Sequence, residues 1–292
     1  DHRDLHSFPT RRSSDLNFIL INIQFAKLPI IYNKTGTKIF CIFNPMQKDL
    51  PEVERLIADL RDEGIVENLT FEEHIIRIRT SKFLLLIYLP HSSRLNIEEE
   101  LKTIHLDIDV LIHSYQKVLK RLKGMIGKGK RLYARKTVVA RIDKKVTLDF
   151  LEENHINGPM AGKYRYGLFY KGELVSVAVF SGGRILHEIS EDYRSFELVR
   201  FCHKTDFLVI GGISKLIKAF IKDFKPNDIM TYADRDWSQQ SSLKTIGFEV
   251  ENIRDKQTFK VKDGKRLNYA ADKENYDYII KNSGSIKLKL YL

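Results

Sequence analysis

Two stretches of the chain carry residue types at spacings that could do chemistry. The first is Gly211–Gly212, where an apolar run (Leu208, Val209, Ile210) meets a helical pattern. Ile213, Leu216, Ile217, Phe220, Ile221 and Phe224 recur there at i, i+3, i+4, i+7, i+8 and i+11. A glycine turn opening onto a helix N-terminus presents unsatisfied N–H groups and the positive end of the helix dipole, a seat for a phosphate. The same glycines would also serve a plain tight turn that needs positive φ, and the spacing alone leaves both readings open. The second stretch is Tyr232–Ser238, YADRDWS, a dense polar cluster after an apolar strand pattern. Sites in α/β proteins form at such strand ends. Arg235 could hold a phosphate bidentately, and Trp237 or Tyr232 could stack on an exposed base. A salt-bridged loop around one packed Trp is the competing reading.

Other candidates stand nearby. Glu197 is the only carboxylate within its strand pattern, and Asp234 and Asp236 are the alternatives to it as a proton acceptor; simple pairing of Glu197 with Arg200 or Arg235 is the plain reading. Asn154 and His155 end a helical pattern, where a His reads first as a partner of the helix dipole. Outside residues 1–16, where His2 and His6 stand four apart, the histidines show no HxH or HxxxH spacing, so no metal is expected.

The elements that must position these residues follow from periodicity. In the C-terminal part the pattern predicts strand Lys136–Ile142, helix Lys144–His155, strand Tyr166–Tyr170, a turn at Lys171–Gly172 and strand Leu174–Phe180. Strand Phe196–Cys202, the glycine turn with its helix, strand Ile229–Ala233, a short helix Ser241–Ile246 and strands Phe248–Ile253 and Thr258–Val261 complete it. Strands with interspersed helices make a mixed α/β (α+β) sheet with flanking helices. The last thirty residues, with a turn at Asp263–Gly264, are expected at the periphery.

Upstream, residues 50–63 read as a helix with Val53, Leu56, Ile57 and Leu60 on one face and Gly64 as C-cap. Glu73–Thr80 and Phe83–Leu89 read as a strand pair. A long helix is then expected from Asn96, with Glu99 completing a capping box, into Lys117–Lys123. Its seam (Leu101, Ile104, Ile108, Leu111, Tyr115, Val118, Leu122) steps by three and four. That seam could pack on the preceding elements or join two copies of the chain through residues 99–122.

Charge is unevenly spread. Residues 126–292 hold 31 cations against 21 acids, a net +10, while 46–125 are net −2. A basic C-terminal part implies a polyanionic partner such as nucleic acid. Lys117–Lys136 holds nine cations and no acid, with Gly124, Gly127 and Gly129, and reads as a flexible basic linker. Lys128, Lys130 and Arg131 are its candidates for phosphate contacts. Two cysteines, Cys41 and Cys202, cannot make a CxxC metal pair, which implies a reducing, cytoplasmic setting. No apolar run is long enough to span a membrane. Residues 1–16 resemble a translated sequencing-library adapter and are set aside. Residues 17–45 lack Asp and Glu and read either as untranslated or as an apolar hairpin around Asn33–Gly36. The expected organisation is therefore 1–16 and 17–45 outside the fold, a small α-β-β-α region at 46–125, a basic linker at 126–136, and a larger domain at 137–292.

From about Tyr133 to Val261 the chain resembles the GNAT family of acyl-CoA N-acyltransferases. The strand order, the glycine turn after the fourth strand and the closing SLKTIGF (Ser242–Phe248) carry the resemblance. LVRFCHK (Leu198–Lys204), GGISKL (Gly211–Leu216), YADRDWS, ENHINGP (Glu153–Pro159) and YRYGLFYKGELVSVAVF resemble more narrowly a phage-associated branch. That branch is related to Mom-type DNA-modifying acyltransferases and to domains fused to homing endonucleases. The resemblance implies a GNAT-like sheet, acetyl-CoA or another acyl-CoA gripped through Leu208, Val209, Ile210, Gly211, Gly212, Ile213 and Ser214, and an amine acceptor, plausibly a nucleobase in DNA. It implies Glu197 as base, with Asp234, Tyr232 and Ser238 beside it, and Asn154, His155, Arg235 and Trp237 toward substrate or nucleic acid. One departure stands out. The family often places a Tyr four residues before the glycine of the closing motif, to protonate the departing thiolate, and here that residue is Leu243. The alternative is therefore a nucleic-acid-binding module of a phage or mobile element that keeps the fold without catalysis.

Overall fold

The computed structural model describes residues 31–32, 38–39, 50–72, 74–97, 99–237, 242–267 and 275–292. The chain divides into two compact units, 1–42 and 43–292. In the first, β1 (Ile31–Tyr32) and β2 (Lys38–Ile39) pair antiparallel, Ile31 opposite Ile39, as the hairpin reading expects; the adapter-like residues lie outside the described ones.

The second unit opens with α1 (Pro51–Asp62), whose Pro starts the first turn and whose Val53, Leu56, Ile57 and Leu60 are buried. Four strands follow: β3 (Val66–Phe71), β4 (Ile75–Thr80), β5 (Phe83–Tyr88) and β6 (Lys102–Asp107), in the order β3-β4-β5-β6. Only the last pair is parallel, and it runs unbroken from Phe83↔Lys102 to Tyr88↔Asp107. Every residue of β5 is buried, as a strand covered on both faces requires. Then α2 (Ile108–Met125), interrupted at Ser114, lays Leu111, Tyr115, Val118, Leu119 and Leu122 on the same core as α1.

The expected long helix from Asn96 is thus corrected. Residues 102–107 are strand, because a run buried on both faces reads as either period. Glu99 pairs with Arg79 at 3.1 Å rather than capping a helix. The seam residues Ile104, Ile108, Leu111, Tyr115, Val118 and Leu122 are buried inside this chain, so the 99–122 seam offers no face to a second copy.

The expected flexible linker is ordered. α2 consumes its first half, and β7 (Lys130–Tyr133) and a 3₁₀ turn (Ala134–Lys136) its second. A sheet in the order β15-β19-β14-β12-β10-β9-β8 then forms. Its strands are β8 (Val138–Arg141), β9 (Tyr164–Tyr170), β10 (Glu173–Phe180), β12 (Arg194–His203), β14 (Asp228–Asp234), β15 (Glu249–Arg254) and β19 (Ser285–Tyr291), with short β11 (Arg184–Ile185) beside β12. Helices α3 (Lys144–Asn154) and α4 (Gly212–Phe224) flank it, and short β13 (Phe207–Ile210) precedes α4. Phe220 of α4 stacks on Phe180 at 3.9 Å, with Tyr166 and Phe196 edge-on to it, which fixes α4 to one face.

The mixed α/β class expected from sequence is the one observed. The C-terminal end is not peripheral, however. β19 inserts between β14 and β15 and buries Leu288 completely. Between β15 and β19 a small sheet of β16 (Thr258–Lys262), β17 (Lys265–Arg266) and β18 (Tyr278–Lys281) reaches back to the α1, β3–β6 and α2 part of the same unit, the first module, where Arg266 bonds Asp109 (2.7 Å) and Asp107 (2.8 Å). Among the described residues no helix is long and apolar enough to cross a membrane.

Candidate active site

β12 and β14 are parallel but pair only at Ser195↔Asp228, Phe196↔Ile229 and Glu197↔Met230. Beyond that the ten-residue β12 and seven-residue β14 part. A bulge in β12 helps them do so: Val179 and Phe180 of β10 oppose Arg200 and Leu198, leaving Val199 extra. The Thr231 hydroxyl bridges the start of the gap, donating to Leu198 O at 2.8 Å.

Alternation sorts the side chains. Phe196, Leu198 and Phe201 of β12, and Ile229 and Ala233 of β14, face α4 in the larger core. Glu197, Val199, Arg200 and Cys202, with Met230, Tyr232 and Asp234, therefore face the other way, where Val199 and Cys202 meet Phe150 and Leu151 of α3. The catalytic candidates Glu197, Tyr232 and Asp234 are brought to one face of one fork. Ser238 lies outside the described residues.

Burial pushes the Asp234 carboxyl above its usual range, and Asp236 adds to this. Tyr232 accepts a hydrogen bond from Arg254 at 2.9 Å and carries that guanidinium over its ring. Its own O–H is left to donate.

The expected cofactor loop divides. Val209 is buried in the core, Leu208 leans on Gly124 and Gly129, and the 207–210 backbone pairs with β7. These residues are scaffold. Gly211 (φ +77°) is the N-cap without a side-chain cap, and among the described residues no side chain takes the first amides of α4, at Gly212, Ile213 and Ser214. A Cβ at Gly212 would come within 2.9 Å of His203, so glycine there is a matter of close approach. Ile210 beside it is exposed.

The 232–238 cluster also divides. Asp236 is 6% exposed and pairs with Arg94 at 3.0 Å, while its N–H donates to Asp234 at 2.9 Å. Trp237 is 6% exposed and belongs to the core of the first module, so it cannot stack on a base. Asp236 and Trp237 instead tie the end of β14 to that module. Arg235 donates to Ser283 O at 3.0 Å and, with Arg94, His105 and Lys256, lines a basic cavity of about 80 Å³. Asn154 is structural, taking the Thr205 N–H at 2.9 Å and donating to Phe150 O at 2.8 Å. His155 is no dipole partner. Burial, with Arg200, Arg121 and Lys117 around it, pushes its pKa down to about 3, so the ring is neutral. Lys128 pairs with Glu63 at 2.7 Å; Lys130 lies over the Phe207 ring. Arg131 lies beside Leu208 in the β7–β13 ladder.

Sequence reasoning missed Arg121. Its side chain is exposed. It stacks over Trp237 at 4.9 Å and interacts with Asp234 and Cys202. The available signal was the α2 stripe Lys117, Lys120, Arg121, Gly124, opposite the buried face.

No protein-family model matches the chain, and no curated protein does. Among solved structures it is similar to a GNAT family acetyltransferase from Elizabethkingia anophelis with acetyl-CoA bound, at 14% identity over 54% of this chain and 99% of that one, TM-score 0.36. It is likewise similar to a Bacillus subtilis acetyltransferase in complex with CoA, at 16% identity over 54% and 99%, TM-score 0.36. Arabidopsis thaliana Naa50 in complex with a bisubstrate analogue shows 12% identity over 54% and 99%, TM-score 0.37.

Proposed function

We propose that the chain is an acyl-CoA-dependent N-acyltransferase whose acceptor is an amine on a nucleic acid, a nucleobase in DNA being the reading favoured by the Mom-type sequence resemblance and the net +10 of residues 126–292. The observation that carries it is the fork. A parallel pair parts after three residues, with carboxylates on one of its faces and the uncapped N-terminus of α4 following one of its arms. The amides of Gly212, Ile213 and Ser214 would hold the pyrophosphate of acetyl-CoA. The exposed N–H groups of β12 beyond the bulge would hold the thioester carbonyl.

Glu197, at the base of the fork, takes the proton as the amine nitrogen bonds the carbonyl carbon. The C–S bond breaks, and the thiolate is protonated by Tyr232, whose O–H is free while Arg254 bonds its oxygen. This answers Leu243, which is 9% exposed, packs in the core and has no proton to give.

Leu243 is also what favours the second reading, a fold kept for binding nucleic acid alone. Thermal unfolding with and without acetyl-CoA separates the two. Ligand at 100 times its dissociation constant adds about 2.7 kcal/mol of stability if it binds. A well-folded protein that shows no shift at millimolar acetyl-CoA rules out the transferase.

A further inference from the structure

The end of β14 meets the first module across a cavity of about 80 Å³. Arg94, Asn96 and His105 of the module line one side of it, Arg235, Lys256 and Ser283 of the larger domain line the other, and no carboxylate is among the lining residues. The walls are held in place. His105 belongs to the unbroken β5–β6 ladder, and its backbone N–H bonds Asp236 O at 2.9 Å. Arg235 is fixed by its backbone N–H to Gly284 O at 3.1 Å and by its Nη1 to Ser283 O at 3.0 Å.

His105 is 5% exposed, and the hydrogen bonds around it fix its tautomer. Tyr88 O takes the Leu95 N–H at 3.2 Å, and the acceptor offered to the Tyr88 O–H among the described residues is His105 Nδ1, at 2.8 Å. Nδ1 therefore accepts, and the proton of the neutral ring sits on Nε2. Burial holds the ring neutral, with its pKa down at about 4; Asp236 opposes that shift, while Arg94 and Arg235 add to it. Nε2–H has no acceptor among the described residues. It is not sealed from solvent either, since the closed and unpartnered side-chain nitrogen among those residues is Arg200 Nε on β12. A donor on a residue more than nine-tenths buried is thus left for the cavity that His105 lines.

Charge completes the site. Arg94 is already neutralised by Asp107 at 2.6 Å and Asp236 at 3.0 Å. Arg235 and Lys256 have no carboxylate within 4 Å among the described residues. Two unpaired cations and one neutral N–H around a space free of carboxylates match a dianion with several acceptor oxygens. A water molecule takes about 30 Å³ in the liquid, so the space suits one tetrahedral oxyanion and not a sugar and base beside it.

We propose that this cavity seats a phosphate monoester, its oxygens held by His105 Nε2–H, the Arg235 guanidinium and the Lys256 ammonium. Free phosphate and the terminal phosphate of a nucleic-acid strand offer the same chemistry. Arg235 directly follows Asp234 at the end of the β14 arm, so a strand anchored here lies beside the fork. That the strand is then the acceptor rests on the transferase reading; the seat itself does not.

The test uses the full chain in phosphate-free buffer at fixed chloride concentration. Inorganic phosphate is titrated by isothermal calorimetry into wild type, Lys256→Gln and Arg235→Gln. Saturable binding is expected in wild type, weakened by about tenfold in each variant, the worth of a charge-assisted hydrogen bond. Lys256 is exposed, so Lys256→Gln is expected to fold even if losing the Arg235–Ser283 bond disturbs the other variant. No saturable binding in wild type, or wild-type affinity in Lys256→Gln, overturns the proposal. Long-range proton–nitrogen NMR of the histidine rings gives a second readout, with the His105 signals assigned by their loss in His105→Gln. They should show the proton on Nε2 at neutral pH and move with phosphate. A proton on Nδ1, or an Nε2 signal indifferent to saturating phosphate, overturns the proposal as well. A 12-mer oligonucleotide with a 5′-phosphate is then compared with the same strand lacking it. A preference of about tenfold, erased in Lys256→Gln, assigns the seat to a strand end. Binding of inorganic phosphate without that preference assigns it to a free phosphate and removes it from the acceptor site. Thermal stabilisation by acetyl-CoA is read alongside. If Lys256→Gln abolishes that stabilisation, the seat belongs to the coenzyme and the acceptor assignment fails. If wild type shows none while phosphate still binds, the transferase reading fails and the seat stands.

Discussion

Two of the parallel strand pairs, β5–β6 and β12–β14, start alike and end differently. β5 and β6 zip through six consecutive partners and bury both faces, and nothing can enter between them. β12 and β14 zip through three and then part at Glu197 and Met230. The difference lies in local devices. β12 carries a bulge at Val199, and each arm is satisfied on its outer edge, by β10 and by β19. The zipped pair is a core and the parted pair is a cleft, and the first holds the second open from the side: His105 of β6 donates its N–H to Asp236 O at 2.9 Å. A sheet gains a site where it gives up ladder bonds whose neighbours are held elsewhere.

The contact between the two pairs is the place to break this arrangement first. Asp236 and Asp107 share Arg94, whose side chain is 5% exposed, and Asp107 also takes Arg266. Asp236→Ala leaves Arg94 with one partner fewer in a buried setting and is expected to destabilise by about 3–5 kcal/mol. Urea unfolding monitored by Trp237 fluorescence measures it. A loss under 1 kcal/mol would mean that the cleft is held open without the zipped module.

The chemistry of the fork gives the next largest effect. Glu197→Gln keeps size and removes the proton acceptor, and turnover is expected to fall by about 10²-fold or more, with acetyl-CoA stabilisation unchanged. If Asp234→Asn gives that loss and Glu197→Gln does not, the base sits at the far end of the fork instead of at its origin.

Much of this frame was legible in the sequence, and the failures have physical causes. α4 was plain because an apolar stripe of period 3.6 has no strand equivalent, and β9 and β10 were plain because Lys171–Gly172 forces positive φ at their turn. β6 was misread because Leu101, Ile104 and Ile108 satisfy a helical step of three and four equally well. β19 was placed at the edge because sequence order says nothing about which strand inserts between two others. Of the candidate site, Glu197, Tyr232 and Asp234 were found by type and share a face. Asp236 and Trp237 have the same types and were misassigned, since burial against a distant module is not written in local spacing. Arg121 went unseen because a charge run hides which of its members lacks a partner.

The uncapped end of α4 offers a cleaner contrast than Gly212→Asp, which would also push on His203. Ser214 stands three residues after the N-cap. An aspartate there favours the helix dipole while repelling a phosphate at the same amides. Ser214→Asp is expected to keep or raise the melting temperature and to weaken acetyl-CoA by about tenfold, close to the loss of one charged hydrogen bond. Equal affinity in isothermal titration would remove the phosphate seat from α4.

The smallest effect separates the cleft from the core by pH. His155 has its pKa lowered to about 3 by burial, and by Arg200 of β12 and by Arg121 and Lys117 of α2, against about 6.5 in an unfolded chain. Between those values the unfolded chain takes up a proton that the folded one refuses. Stability from this site is therefore full above pH 6.5 and falls as pH drops toward 3, by at most about 1.4 kcal/mol per unit, less because water reaches the ring. His203 and His105, both lowered to about 4 chiefly by burial, add slopes of the same sign. His155→Gln should shed its share, so the variant's urea midpoint declines less steeply than wild type between pH 6 and 4.5. A variant midpoint that declines as steeply as wild type would mean that another group takes up the proton.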